Sequence, residues 1–385
     1  MQTGAVLFYV QHLLGIGHLR RALRLVSGLM SEGLAVTLVS GGEPVRELAA
    51  APDCRLVQLP SIRASDPGFR ELVDSDGEPV GDVLRTARRR ALLDAFATAR
   101  PDAVVIEAFP FGRRAFRFEL DPLIAAARAR PGRPVLASSI RDILVPPADP
   151  ARRREIVERV RADFDLVLVH GDPAFIRLED SFPPACEIAD RLVYTGYVAD
   201  NDDAADPAAG DGAGEVLVSA GGGAVGGNLL ATAVAARRAG CLAGLRWRLL
   251  AGPNLPEADY RGLAARLPDG VVLERYRADF PQMLRQCRVS VSQAGYNTVL
   301  DVLAARARAV VVPFAAERES EQTLRAERLA ARGVLEIVAE AELSPERLTR
   351  AIERALARPP ATLAVDTDGA RRTARLIAEA IGRAV

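Results

Sequence analysis

At 385 residues the chain is too long for one ordinary hydrophobic core, so two domains are expected. It is 49% apolar and 26% charged, with 50 basic residues against 50 acidic ones; this globular composition excludes a nucleic-acid binder that relies on bulk positive charge. Every basic residue is arginine, which removes lysine Schiff bases and Walker-type phosphate lysines from consideration. Cys54, Cys186, Cys241 and Cys287 are scattered, and only His12, His18 and His170 could join them, so no metal site and reduced thiols are expected. No stretch approaches a membrane span and no basic segment precedes the first apolar run, so the expected location is the cytoplasm, at most peripheral to the inner membrane face.

In chain order, the apolar run 4–10 leads into a helix from about His18 whose stripe, Leu19, Ala22, Leu23, Val26, Leu29 and Met30, leaves its arginines outward. Further runs at 34–40, 102–108, 133–139 and 164–170 alternate with helical patterns. This is the βαβ rhythm of a doubly wound parallel sheet. Residues 199–214, rich in Asp, Ala, Gly and Pro, read as a linker. The rhythm restarts at 215–223 and recurs at 245–252, 270–276, 287–293 and 308–314, before helical patterns at 345–357 and 368–383. The expected organisation is a first α/β domain at 1–198 and a second at 215–385, with the last helix a candidate to cross back to the first.

Open parallel sheets bind ligands beyond the carboxyl ends of their strands. There the second domain places Gly221, Gly222 and Gly223, and with Gly226 they satisfy GxGxxG. A dinucleotide site would need an acidic residue about twenty positions on, but none lies between Glu215 and Glu257. Diphosphate contact through backbone amides survives that test. Gly15 and Gly17 form a weaker counterpart in the first domain, followed by His18 at a helix start, where the dipole favours a neutral imidazole. A neutral His can take a proton from a hydroxyl, while a helix-start His bonded to backbone is the plain alternative.

The run 287–293 ends in a polar cluster of Gln293, Gly295, Asn297 and Thr298. The last two are expected to cap a helix that carries Asp301 one turn on. After the next strand come Glu317, Glu321 and Gln322. Such amides and carboxylates suit vicinal hydroxyls of sugars.

The order strand, Gln-Ala-Gly-Tyr-Asn-Thr, helix, Val-Val-Val-Pro-Phe, Glu-Gln resembles the C-terminal signature of GT-B glycosyltransferases, especially family 28 and its MurG-like members. The resemblance implies two Rossmann-like doubly wound domains facing a cleft, and transfer of N-acetylglucosamine or another hexose from UDP, inverting and without metal. A nucleotide sugar is then a co-substrate and no resident cofactor is implied. By the same resemblance Asp301 is the ribose-binding carboxylate, where MurG has Glu; Glu321 and Gln322 contact the donor sugar, where MurG has two glutamines. The base-binding segment, which works largely through backbone, maps near Arg277. Gly221, Gly222 and Gly223 match the diphosphate loop, and His18 the histidine of the N-terminal loop.

In an inverting transfer a base deprotonates the acceptor hydroxyl. His18 is the first candidate, with Glu107 and Asp142, both at strand ends, as alternative bases or as groups that orient His18 or the acceptor. Arg141 is a candidate partner for a phosphate or an acceptor carboxylate. Residues 109–118 interleave Phe109, Phe111, Phe116 and Phe118 with Arg113, Arg114 and Arg117, which reads either as one helix with Phe inward or as a patch for an amphipathic acceptor or an anionic membrane. The acidic pairs Asp200/Asp202 and Asp366/Asp368 are read as solvated rather than metal-binding. The remaining function classes are a UDP-sugar epimerase or hydrolase on the same scaffold, and a non-catalytic nucleotide-sugar-binding protein. The acceptor itself is not legible.

Overall fold

The computed structural model describes residues 4–13, 17–45, 48, 54–65, 71–145, 147–199, 211–222, 226–314, 321–359 and 365–384. They divide into two compact units, Met1–Val198 with Asp366–Val385, and Ala199–Val365.

In the first unit β1 (Ala5–Val10) leads into α1 (Gly17–Ser31), followed by β2 (Ala35–Ser40), β3 (Arg55–Gln58) and a small antiparallel pair, β4 (Arg63–Ala64) and β5 (Leu72–Val73). Then come α2 (Asp82–Ala99), β6 (Ala103–Glu107), α3 (Arg117–Ala129), β7 (Val135–Arg141), α4 (Pro150–Asp163), β8 (Leu166–His170) and β9 (Leu192–Tyr194). Seven strands make one sheet in the order β3-β2-β1-β6-β7-β8-β9, with parallel pairing throughout. Alternation along β1 fills two cores. Val6, Phe8 and Val10 pack with Leu25 and Leu29 of α1, whereas Leu7 and Tyr9 pack with Leu92 of α2 and Leu120 of α3.

The second unit runs β10 (Val216–Ser219), α5 (Gly227–Arg238), β11 (Trp247–Leu250), α6 (Glu257–Ala264), β12 (Val271–Glu274), α7 (Phe280–Gln286), β13 (Val289–Ser292), α8 (Tyr296–Ala304), β14 (Ala309–Val311), α9 (Glu321–Ala330), β15 (Glu336–Ile337) and α10 (Pro345–Ala357). Its parallel sheet is ordered β12-β11-β10-β13-β14-β15. Strand order reverses between β1 and β6 in the first sheet and between β10 and β13 in the second. Loops at such reversals are where open sheets leave a ligand crevice.

Both expected boundaries of the second domain move. Its far end is Val365 rather than Val385, because the final helix, α11 (Gly369–Ala384), packs on α1 with Ile377 and Ile381 in the first core. Contact is close enough that a Cβ on Gly28 would stand 2.8 Å from Ala370 O. The return is stitched by Tyr197 N–H to Asp366 O (2.6 Å) and Gly369 N–H to Tyr197 O (3.0 Å). Asp366 and Asp368 pair with Arg372 and Arg371, so this acidic pair holds the start of α11. At the near end, Asp211 pairs with Arg248 and Arg277, which ties residues 211–214 to the second unit rather than to a linker. Asp200 and Asp202 lie outside the described residues.

The phenylalanine segment is not one helix. Phe109 packs on Phe164, Phe111 meets Phe182 edge-on at 5.6 Å, and Phe116 is wholly buried. Three of the four rings are thus spent in the core, and Arg117 is neutralised by Asp121 and Glu155. Among the described residues no helix is long and apolar enough to cross a membrane.

Candidate active site

His18 is the second residue of α1 and Glu107 the last of β6, so the reversal between β1 and β6 brings them together across 89 positions of sequence. Nδ1 of His18 lies 2.7 Å from Glu107 Oε1. Arg21, one turn along α1, donates to the same oxygen. Burial would raise the Glu107 pKa, but His18, Arg21 and Arg113 outweigh it and hold the carboxyl below the usual range. An ionised carboxylate only accepts, so the proton sits on Nδ1 and Nε2 carries a lone pair. Burial pushes the imidazole pKa down to about 4, against the pull of Glu107, and Arg113 and Arg21 add to the lowering. At neutral pH the ring is therefore uncharged and able to accept a proton. His18 is 26% exposed and Glu107 is not exposed at all, so substrate can reach only the imidazole. This arrangement follows the logic of a carboxylate that orients a histidine base.

The structure separates the three catalytic candidates by what their oxygens and nitrogens already hold. Glu107 Oε1 is already held by His18 and Arg21. Asp142, at the end of β7, is wholly buried, accepting from Ile143 N–H and from the Tyr197 hydroxyl, each at 3.0 Å. A Cβ on Gly171 would stand 2.6 Å from Asp142 Cβ, so no acceptor approaches from that side. Asp142 braces the strand ends and is not placed as a base. Arg141 is half-buried at the end of β7 and lies within electrostatic reach of Arg113. Gly17 opens α1, while Gly15 lies outside the described residues.

In the second unit Gly221 takes a left-handed conformation (φ 66°), its N–H meeting Ser219 Oγ at 3.2 Å. Gly252, at φ 80° beyond β11, passes so close that any Cβ would collide with Gly221 O. Asn254 Nδ2 donates to Gly222 O at 2.6 Å, while open space surrounds the position of a Gly222 Cβ. Gly226 touches Ala220, where a side chain would not fit. The loop is thus shaped by glycines on two adjacent strand ends. Gly223 lies outside the described residues.

At the neighbouring strand end Gln293 is buried, its N–H 3.4 Å from Ser219 O. Asn297 and Thr298 do not cap α8, contrary to expectation. The N-cap is Gly295, in extended conformation and without a side-chain cap, so Asn297 and Thr298 fall in the first turn. First-turn amides left open in this way suit an anionic ligand. Asp301 follows Asn297 by four residues and shares its face of α8. Asn297 Oδ1 is buried with no partner among the described residues.

Other expected donor contacts are committed elsewhere. Arg277 makes a two-pronged pair with Asp279 (2.7 and 2.8 Å) and also pairs with Asp211 and Glu274, so its guanidinium is held by carboxylates. Glu321 is 3% exposed and pairs with Arg325 at 2.7 Å. Arg325 in turn donates to Ala294 O and stacks over Tyr296, so this pair braces the entry to α8. Gln322 Oε1 accepts from Phe314 N–H at 3.1 Å. Glu317 lies outside the described residues.

Sequence reasoning missed Arg21, Gly252 and Asn254. Arg21 sits three residues after His18, the spacing of neighbours on one helix face, which was the available signal. Gly252 and Asn254 follow a strand in "AGPN", a strand-end position that alone marked them.

Comparison with known proteins bears on the second unit directly. Residues 249–381 match the glycosyltransferase family 28 C-terminal domain. Over those residues the chain is similar to family 28 glycosyltransferases. The family 28 match contains Arg277, Gln293, Asn297, Asp301 and Gln322, and starts beyond the Gly221 loop. An uncharacterized glycosyltransferase of Methanopyrus kandleri is 33% identical over 115 residues, 29% of this chain and 33% of that protein. A Rhizobium johnstonii UDP-N-acetylglucosamine N-acetylmuramyl-(pentapeptide) pyrophosphoryl-undecaprenol N-acetylglucosamine transferase is 30% identical over 87 residues, 23% of each chain. These curated relatives are thus matched over a third of their length or less. The calicheamicin glycosyltransferase CalG4 aligns over 100% of this chain and 95% of its own, at TM-score 0.62 and 19% identity. The Acinetobacter baumannii MurG structure aligns over 98% and 99%, at TM-score 0.56 and 16% identity. The family 28 match therefore sits in a chain with the two-sheet GT-B glycosyltransferase fold.

Proposed function

We propose that the protein is a nucleotide-sugar-dependent hexosyltransferase, moving N-acetylglucosamine or a similar hexose from a UDP-sugar to an acceptor hydroxyl. The observation that carries this reading is the neutral His18 held by the buried Glu107 carboxylate, in a chain with a family 28 match. His18 Nε2 takes the hydroxyl proton as the oxygen bonds to the anomeric carbon, while the bond from that carbon to the diphosphate breaks and the nucleoside diphosphate leaves with the electron pair. One such displacement inverts the anomeric centre. Glu107 stabilises the imidazolium that forms. Backbone amides at Gly221, Gly222 and the start of α8 stabilise the departing diphosphate, and Asp301 accepts from the ribose hydroxyls. The expected chemistry uses the donor as co-substrate and no resident metal or cofactor.

The test is transfer from radiolabelled UDP-N-acetylglucosamine across an acceptor panel, with chelator present. A β-linked product from the α-linked donor supports the proposal. Free sugar or an epimer in the absence of acceptor indicates a hydrolase or epimerase, and donor binding without turnover indicates a binding protein.

A further inference from the structure

The chain leaving Glu107 is held in an unusual path. Ala108 and Arg113 both take left-handed conformations, φ 65° and 60°, although neither is glycine. Gly112 N–H returns to Ala108 O at 2.6 Å to close the turn between them. Residues with a Cβ rarely take this conformation, and conformations of this kind gather where a side chain must be aimed.

The side chain aimed here is Arg113. Its Nε donates to Gln11 O at 2.8 Å. Gln11 is itself buried and fixed, accepting from Arg88 Nη2 at 2.9 Å and donating to Ile62 O at 3.0 Å. The guanidinium is thus anchored on one edge. Its two Nη groups make no hydrogen bond among the described residues, and the side chain is half-buried. Glu107, the carboxylate within its electrostatic reach, already has one oxygen taken by His18 and Arg21. Arg21 and Arg141 add positive charge to the same neighbourhood.

We propose that Arg113 recognises an anionic group, a carboxylate or a phosphate, on the acceptor and thereby sets the acceptor hydroxyl against His18. The inference rests on the reading of His18 as the acceptor's base. A guanidinium edge matches two oxygens of either anion. Arg113 follows the strand that carries Glu107 and its charge is felt by His18, so an anion held there is registered to the hydroxyl that His18 deprotonates.

The experiment compares matched acceptor pairs with UDP-N-acetylglucosamine as donor: 4-hydroxybenzoate against its methyl ester, and glucose 6-phosphate against glucose. Wild type is expected to favour a charged member, and Arg113→Gln to lower that preference by about ten- to a hundredfold. Arg113→Lys should recover part of it, and the ratio within each variant cancels any loss of folded protein. An unchanged ratio in Arg113→Gln, or a rise confined to the donor KM, overturns the proposal, the second because the anion would then be the donor's diphosphate. Should none of these acceptors turn over, NMR titration of the full chain with 4-hydroxybenzoate and with inorganic phosphate separates the two ideas. The His18 ring resonance, assigned with His18→Gln, is expected to shift in wild type and not in Arg113→Gln. No shift in wild type overturns the anion site, whatever the enzyme proves to transfer.

Discussion

His18 Nδ1 and Glu107 Oε1 stand 2.7 Å apart, one on the first turn of a helix and the other at the last position of a buried strand. The carboxylate fixes the tautomer, and burial keeps the ring neutral. His18→Ala is expected to lower kcat by about a hundredfold or more, with the donor Kd from calorimetry within twofold of wild type. Near-normal turnover would remove His18 from the base role.

Glu107→Gln keeps the shape of the side chain but removes the charge that the buried Arg21 meets there. Stability should fall by about 3 kcal/mol, and kcat should drop because the amide no longer dictates which ring nitrogen holds the proton. Denaturant unfolding read beside kcat at a temperature where the variant is folded distinguishes the two losses.

Acid should weaken the fold in a definite window. Burial lowers the His18 pKa to about 4 and that of His170, wedged between Ser139 and Thr195, to about 3, whereas the ordinary value is 6.5. Between those values the unfolded chain binds protons that the folded chain refuses, so stability is lost as pH falls below 6.5. Glu107, also held low, adds loss of the same sign below its ordinary 4.5. Thermal midpoints measured from pH 7.5 to 4.5 should decline, and His170→Gln should flatten the slope relative to its own value at neutral pH. A flat wild-type profile would contradict the buried neutral imidazoles. The acid limb of kcat/KM should likewise lie well below pH 6.5.

Two glycine substitutions separate shape from binding at the diphosphate loop. Gly252→Ala places a methyl against Gly221 O in a left-handed residue and should cost about 2 kcal/mol or more of stability. Gly222→Ala meets open space. Its thermal midpoint should stay within a degree or two of wild type, while UDP-sugar affinity falls because the methyl occupies the space a phosphate would fill. Equal donor affinity in Gly222→Ala would place the diphosphate elsewhere.

Asp301 lies on the same face of α8 as Asn297 and is only partly exposed. Asp301→Ala should weaken donor binding by about tenfold or more, with little change in the unfolding midpoint. A thermal-shift titration with UDP-N-acetylglucosamine reads both quantities together.

Much of the scaffold is legible in the order of residues, because strand and helix periodicity is a property of short windows. The apolar runs at 4–10, 102–108 and 287–293 are strands for that reason, and the edge strand Arg55–Gln58, largely exposed, was missed because it lacks an apolar run. The candidate site is legible only in part. Asn297 and Thr298 fall two and three residues past the actual cap, since a cap depends on backbone angles at Gly295 that residue type does not specify. Asp142 and Glu107 look alike as acidic strand ends, yet one meets Tyr197 and the other His18.

The sequence by itself determined the βαβ rhythm, the absence of any lysine chemistry, the glycines at strand ends and the polar cluster at 293–301. Each is written in neighbouring residues and in the backbone freedom of glycine. Only the tertiary structure decided that Arg21 turns inward, that the last helix belongs to the first unit, and which carboxylate orients His18. Those outcomes depend on strand order and on burial, which bring together residues far apart in the chain and set the charge each can carry.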